Sequence, residues 1–402
     1  MTYASMYAFR KPFNAGSYEG LEWFNLPLKD ILLISQIIGY MLSKFIGIKV
    51  ISEMSKRSRI SLIIKLILTA HFALLLFAFL PIQYKFLCLF LNGLPLGMVW
   101  GVVFSFLEGR KFTELIATGI AVGAIVSSGF VKSVALFLMD NSFYAIPEFW
   151  MPFSTGLLFL PVLLLSVWML SKIPEPNETD KRMKVARVAM NKNQKITLIT
   201  TFSLGIFSLV LIYLMQTIFR DFRDNFAVEL LTHYHFNNKE QFVQMELIIG
   251  IFVIFTTSLI ALFKNNFKGF QFALLLSGIG FLLMLAGEIL FLSKAINFYS
   301  LMLISGLGMS IGYVPFQIAL FERFIAAFQI LGNVGFLMYI SDSTGYLGSV
   351  ILLLSKNFGL LQSDNVKLFH LLLFSGSIIG FINVCFSLYY FKVKRCNVLL
   401  IK

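Results

Sequence analysis

The sequence predicts an all-α membrane protein of two related six-helix halves. Three observations carry that prediction: an apolar composition, a one-sided distribution of positive charge, and one long polar break near the middle. Of 402 residues, 58% are hydrophobic and 13% are charged, where soluble domains carry about a quarter charged residues. Phe alone supplies 45 residues, and the mean hydropathy is +0.83. A water-soluble fold of this length could not hide so much apolar surface, whereas lipid is a good solvent for it.

Apolar runs fall near 29–52, 60–81, 84–107, 113–139, 150–172, 195–224, 241–263, 269–293, 297–321, 324–354 and 366–391, with a partial first run over 1–14. The complete runs have the roughly 20 residues that a helix needs to cross a bilayer core of about 30 Å. We number them spans 1 to 12. Span 1 is too short, because only nine residues precede Arg10 and a helix rises about 1.5 Å per residue. Either it begins midway through the bilayer or the true start lies upstream, and the upstream start is the expectation. The apolar start lacks a basic n-region and a small-residue cleavage site, so it does not read as a signal peptide.

The net charge of +13 follows topology. With the 53–59 loop taken as cytoplasmic, 19 of the 33 Lys and Arg fall in loops and the tail on that side, and six on the opposite side. This positive-inside bias places the central loop and C-terminus in the cytoplasm, with anionic lipid headgroups as neighbours. A bacterial inner membrane is the expected location. Nucleic-acid binding would need a basic stripe with a reading element, and none is present. Cys88, Cys385 and Cys396 are too scattered for a disulfide framework or a metal cluster.

Residues 173–195 are polar, basic and long, and they separate an N-terminal half (1–172) from a C-terminal half (196–402). The halves echo each other. Phe9-Arg10-Lys11-Pro12-Phe13 recurs as Phe222-Arg223-Asp224-Asn225-Phe226, Gly97-Met98-Val99-Trp100-Gly101 as Gly308-Met309-Ser310-Ile311-Gly312, and Ser128-Gly129-Phe130 as Thr344-Gly345-Tyr346. The offsets are 213, 211 and 216 residues, so three weak matches share one register.

Eight basic residues lie inside spans: Arg10, Lys11, Lys44, Lys49, Lys65, Lys132, Arg220 and Arg223. A central charge costs about 2.5–3.5 kcal/mol on insertion scales, so such residues mark function by default. Lys49 and Lys65 sit near span ends and can snorkel. Arg10 and Lys11, with Arg223 or Arg220 from the other half, make a candidate clamp for phosphate or carboxylate, because guanidinium donates paired hydrogen bonds in a planar fork. The alternative is an ion-pair ladder at a span end, with Arg220 and Asp224 at i, i+4. Lys44 lies mid-span, too deep to snorkel. Lys132 and Asp342 occupy near-matching positions of the two repeats and are candidate gating or coupling groups, with Asp221 and Asp224 beside the arginines; a static strut is the alternative. Tyr7, Tyr313 and Gln317 are candidate polar contacts. Gly93, Gly97 and Gly101 form small-xxx-small steps on span 4, and Pro95 and Pro315 mark helices that bend. Glu288 reads as a local hydrogen-bonded residue, and His71 and His370 as single helix histidines.

At these residues the sequence resembles the organophosphate:phosphate antiporter branch of the major facilitator superfamily. Tyr7-Ala8-Phe9-Arg10-Lys11-Pro12-Phe13 is similar to that branch's span 1 signature, and Gly39-Tyr40-Met41-Leu42-Ser43-Lys44-Phe45-Ile46 to its span 2 motif. The resemblance implies phosphate-binding roles for Arg10 and Lys44. Two departures stand out. The antiporters' span 7 arginine falls on Gln216, and their span 5 histidine has no counterpart in Val122-Gly123-Ala124-Ile125-Val126. The chain as a whole is similar to an uncharacterised bacterial family related to the facilitators, through runs such as Asn92-Gly93-Leu94-Pro95-Leu96-Gly97-Met98-Val99-Trp100-Gly101.

The expectation is therefore a major-facilitator-type bundle of 12 helices with a shortened first helix, acting as a secondary transporter of a small organic anion such as a phosphorylated metabolite. Phosphate or protons would be the coupling ion, and the chain is expected to be a monomer. No cofactor or metal is expected, and no phosphate loop for ATP or catalytic constellation appears, so an enzyme is not expected. The rival reading is a non-transporting membrane sensor or assembly protein that keeps the fold.

Overall fold

A computed structural model describes residues 1–53, 58–106, 113–140, 145–174, 192–236, 239–330, 334–357 and 364–400. Most of the predicted 173–195 linker, residues 175–191, lies outside the described residues. Among the described residues, eleven helices are long and apolar enough to cross a membrane, from Leu28–Gly47 to Asn365–Cys396, and they coincide with spans 2 to 12. Large side chains such as Phe72, Trp168, Phe207, Ile251 and Phe255 are exposed along these helices. A helix that is apolar all round suits lipid, since every backbone group is satisfied within it.

Span 1 is not a continuous helix. It comprises Thr2–Met6, a 3-10 turn Tyr7–Phe9, and a second 3-10 turn Pro12–Ala15, broken at Arg10 and Lys11. Pro12 has no N–H to continue the ladder, so backbone carbonyls before it need other partners. Asn92 Nδ2 donates to the carbonyls of Phe9 (3.0 Å) and Ala70 (2.9 Å), and Gln36 Nε2 donates to that of Arg10 (3.1 Å). Gln36 Nε2 also donates to Asn92 Oδ1 at 2.8 Å, which closes the network.

Span 7 corrects its sequence-based end. The prediction stopped it at residue 224, but the helix runs Ser203–His233. The charged stretch Arg220–Asp224 is interior because its charges find partners on neighbouring helices, so the chain need not leave the bundle there. Span 10 (Phe298–Pro315) passes into a π-turn, Phe316–Leu320, and ends in Phe321–Ala327. Span 11 begins at Val334.

Glycine sets two helix crossings. A Cβ on Gly39 would lie 2.3 Å from the Phe90 carbonyl oxygen, and one on Gly93 would lie 2.2 Å from that of Gln36. Spans 2 and 4 therefore touch backbone to backbone. In the other half, Gly280 and Gly308 bring spans 9 and 10 together with comparable distances of 2.2 and 2.5 Å.

The chain forms two units. The first contains Met1–Arg182, Asp224–Gly250 and Val350–Gln362; the second contains Met183–Arg223, Ile251–Ser349 and Ser363–Lys402.

Candidate functional site

In the first unit, the break at Arg10 turns a guanidinium onto the face of Tyr40, 3.8 Å from the ring centroid. Lys44, one helical turn beyond Tyr40, brings its Nζ 5.3 Å from the same ring and 5.5 Å from that of Trp100. Arg10 and Lys44 are each 6% exposed. The glycine crossing of spans 2 and 4 holds this arrangement: a Cβ on Gly97 would strike the Tyr40 carbonyl oxygen at 2.6 Å. Sequence reasoning singled out Arg10 and Lys44 but not Tyr40, whose signal was the i, i+4 spacing to Lys44. Tyr7 precedes the break, where its carbonyl accepts from the amides of Arg10 (3.0 Å) and Lys11 (2.9 Å).

A second cluster in this unit gathers on Asp224. Lys11 and Lys132 both pair with its carboxylate, Lys132 at 2.5 Å, and the Ser128 hydroxyl donates to it as well. Lys11 also donates to Asn225 Oδ1 (3.0 Å), which accepts from Asn14 Nδ2 at 2.8 Å. The suggested Arg220–Asp224 ladder is replaced: Asp224 takes two lysines, and Arg220 takes Asp221. Further along, Lys29 pairs with Glu229, and Lys356 with Asp30 at 2.9 Å.

The second unit carries a cluster of hydroxyl, amide and carboxylate groups. Tyr213 Oη donates to Asp342 Oδ1 and lies 3.1 Å from Tyr313 Oη, from which it can accept. Gln317 Nε2 reaches Tyr313 Oη at 3.0 Å, the Tyr213 hydroxyl, and Asp342 Oδ1 at 3.4 Å. Gln317 lies in the π-turn after Pro315, whose widened backbone displaces the side chain from regular helical register. Arg220 Nε and Nη2 donate to Asp221 Oδ1 at 3.0 and 2.8 Å, and its guanidinium lies 4.4 Å from the Tyr313 ring. Asp221 Oδ2 accepts from Ser349 Oγ at 2.9 Å.

Arg220 is thus the arginine brought together with Tyr313. Arg223 takes a different direction and donates to the Met302 carbonyl of span 10 at 3.3 Å. The sequence left these two arginines open. Lys132 and Asp342, the candidate gating or coupling groups, each have partners within their own unit: Asp224 for the first, Tyr213 and Gln317 for the second. Tyr213 and Gln216 were missed as site residues, although they share a helix face with Arg220 at i, i+3 and i+7. Gln216 is fully buried with no hydrogen-bond partner for its amide among the described residues, and it fills the space left by Gly312, where a Cβ would lie 2.2 Å from Nε2. No group of three or more His, Cys, Asp or Glu suited to a metal occurs among the described residues.

The sequence profile of a family of unknown function, DUF5690, matches residues 12–394. No curated protein matches the chain. Among solved structures, the chain is similar to a major facilitator superfamily proton:xylose symporter, XylE, bound to 6-bromo-6-deoxy-D-glucose. That match has a TM-score of 0.56 at 13% identity and covers 96% of this chain and 93% of the symporter. A second structure, of a D-xylose-proton symporter, gives 0.59 at 13% identity over 96% and 95%. At this identity the likeness shows the fold, which is the major facilitator fold.

Proposed function

The chain belongs to the DUF5690 family, and from its major facilitator fold and its buried cations we propose that it is a secondary active transporter of a small organic anion. The single observation that carries this reading is the convergence of Arg10 and Lys44 on one ring. Two cations gathered at one ring inside an apolar bundle make the site locally positive, which favours an anionic ligand over a neutral one. Ring faces favour cations, and the guanidinium fork suits phosphate or carboxylate. A phosphorylated metabolite fits this chemistry, in line with the span 1 and span 2 resemblance to organophosphate antiporters.

In alternating access each half offers its own polar groups to the substrate. From the second unit these would be Tyr213, Tyr313 and Gln317, which suit uncharged oxygens, with Arg220 held by Asp221 as an adjustable cation. Lys132, Asp224 and Asp342 are the proposed gating or coupling groups. Proton coupling is the second form of the reading, favoured by the described proton symport of the two similar structures and by a carboxylate, Asp342, that accepts from a tyrosine.

A thermal-shift screen of the purified chain against phosphate, organophosphates and carboxylates tests the proposal. A ligand at 100 times its Kd stabilises by about 2.7 kcal/mol, so a binding anion raises the melting temperature measurably. Arg10→Ala and Lys44→Ala should each abolish that shift while leaving the folded fraction intact. No shift with any anion, or a shift unchanged in both variants, would overturn the reading.

A further inference from the structure

Glu288 and His370 belong to none of the clusters described above. Glu288 is on span 9, one turn before its end at Leu292, and is 1% exposed. His370 is on the short helix Asn365–Leu371 that opens span 12. Its Nδ1 lies 2.9 Å from Glu288 Oε1 and 3.0 Å from Oε2, so one ring nitrogen is shared by both carboxylate oxygens. The imidazole stacks on Phe291 at 5.2 Å with rings 8° apart, and Phe298 and Phe369 lie against it at 6.3 and 5.9 Å.

The packed elements bring a short set of other charged or titratable groups to this end. From span 7 comes Arg223, beside Phe222, which stacks on Phe369; its guanidinium donates to the Met302 carbonyl. Span 10 brings Tyr299, and the end of span 9 is followed by Lys294. On the opening of span 12 itself are Lys367 and the capping residue Asp364, whose carboxylate accepts from the Lys367 amide.

A carboxylate this deeply buried is costly unless it is neutralised. With one proton between them, Glu288 and His370 are neutral as a pair, whichever atom holds it. Without that proton the ring can still donate Nδ1–H to the carboxylate. The buried negative charge is then no longer neutralised, so the contact holds the two helices less firmly. The segment that would respond is placed to do so. Immediately after Leu371 the helix widens into the π-turn Leu372–Gly376, where regular i→i−4 bonding is interrupted. We infer that Glu288 and His370 form a proton-binding site, a proton-dependent tie that fastens the opening turns of span 12 to span 9.

The test is thermal unfolding of the full chain in detergent at pH about 6 and about 9, the range over which an imidazole gives up its proton. Wild type should melt about 4 °C or more lower at the higher pH. Both His370→Gln and Glu288→Gln should lose that difference. His71, His233 and His235 are present in every variant, so the difference removed belongs to this pair. Glu288→Gln keeps an acceptor for the ring N–H and serves as the readout if His370→Gln fails to fold. A wild-type melt independent of pH would overturn the inference, as would a pH dependence in Glu288→Gln equal to that of wild type.

Discussion

At the scale of single residues, the informative feature is charge that the bilayer should not tolerate. Tyr40 presents a ring to Arg10 at 3.8 Å, a contact worth about 2 kcal/mol or more when desolvated. Tyr40→Phe keeps the ring and should keep any anion-induced thermal shift, whereas Tyr40→Leu should weaken anion affinity at least about tenfold, measured by titration. Equal effects from the two substitutions would assign Tyr40 a packing role only. Asp224 is the counter-charge of both Lys11 and Lys132. Asp224→Asn leaves two buried ammonium groups facing an amide, and breaking a buried pair in this way costs about 3–5 kcal/mol. The variant should melt well below wild type, and adding Lys132→Met should recover part of the loss; no recovery would mean that the lysine does not depend on Asp224. Arg10, Lys44 and Lys132 were legible in the sequence because a charge inside an apolar run is rare. Tyr40, Tyr213 and Gln216 were not, because neutral polar residues are common in spans and only the neighbouring helix shows which of them matter.

Among helices, the composition placed the existence and order of spans 2 to 12, because a bilayer sets their length. Span 11 was begun at residue 324, but its helix starts at Val334, since the apolar segment Phe321–Ala327 continues span 10. It misjudged span 7, where a cluster of charges reads as a helix end until its lateral partners are known. Span 1 was seen to be short, but its fracture at Arg10 depends on Asn92 and Gln36, which are remote in sequence. The glycines were read as packing steps on span 4, and the crossing they serve is with span 2. At Gly39 and Gly93 the obstructing atoms are backbone carbonyls, which do not move aside as a flexible side chain would. Gly93→Val should therefore force spans 2 and 4 apart and abolish recovery of folded protein. Gly119 has nothing within 4 Å of its would-be Cβ and lies mid-helix, so Gly119→Ala should raise stability by about 0.5–1 kcal/mol. Comparable losses from both substitutions, read by fluorescence-detected size exclusion, would remove the crossing argument.

For the whole molecule, the grouping of chain segments bears on how a facilitator fold works. The last turns of span 7 and the end of span 11 belong in sequence to the second half, yet both cluster with the first unit. Named contacts hold them there: Lys11 and Lys132 on Asp224, Lys29 on Glu229, and Lys356 on Asp30 at 2.9 Å. Lys29, Asp30, Glu229 and Lys356 lie within about a turn of the ends of their helices, and Lys132 and Asp224 lie further in, about two turns from theirs. Alternating access requires one half to rock against the other, so ties of this kind have to break in each cycle if the proposed transport is correct. Each is an ion pair, which can part when water reaches it, rather than interlocked apolar packing, which cannot part as cheaply. Locking one of them covalently separates a gate from a strut. With Cys88, Cys385 and Cys396 replaced, Asp30→Cys combined with Lys356→Cys would be bridged by a short bifunctional thiol reagent. Bridged protein in proteoliposomes should lose exchange of whichever anion gives the thermal shift, and cleavage of the bridge should restore it. Exchange that persists at full cross-linking would make these ion pairs static fastenings and place the moving surface elsewhere.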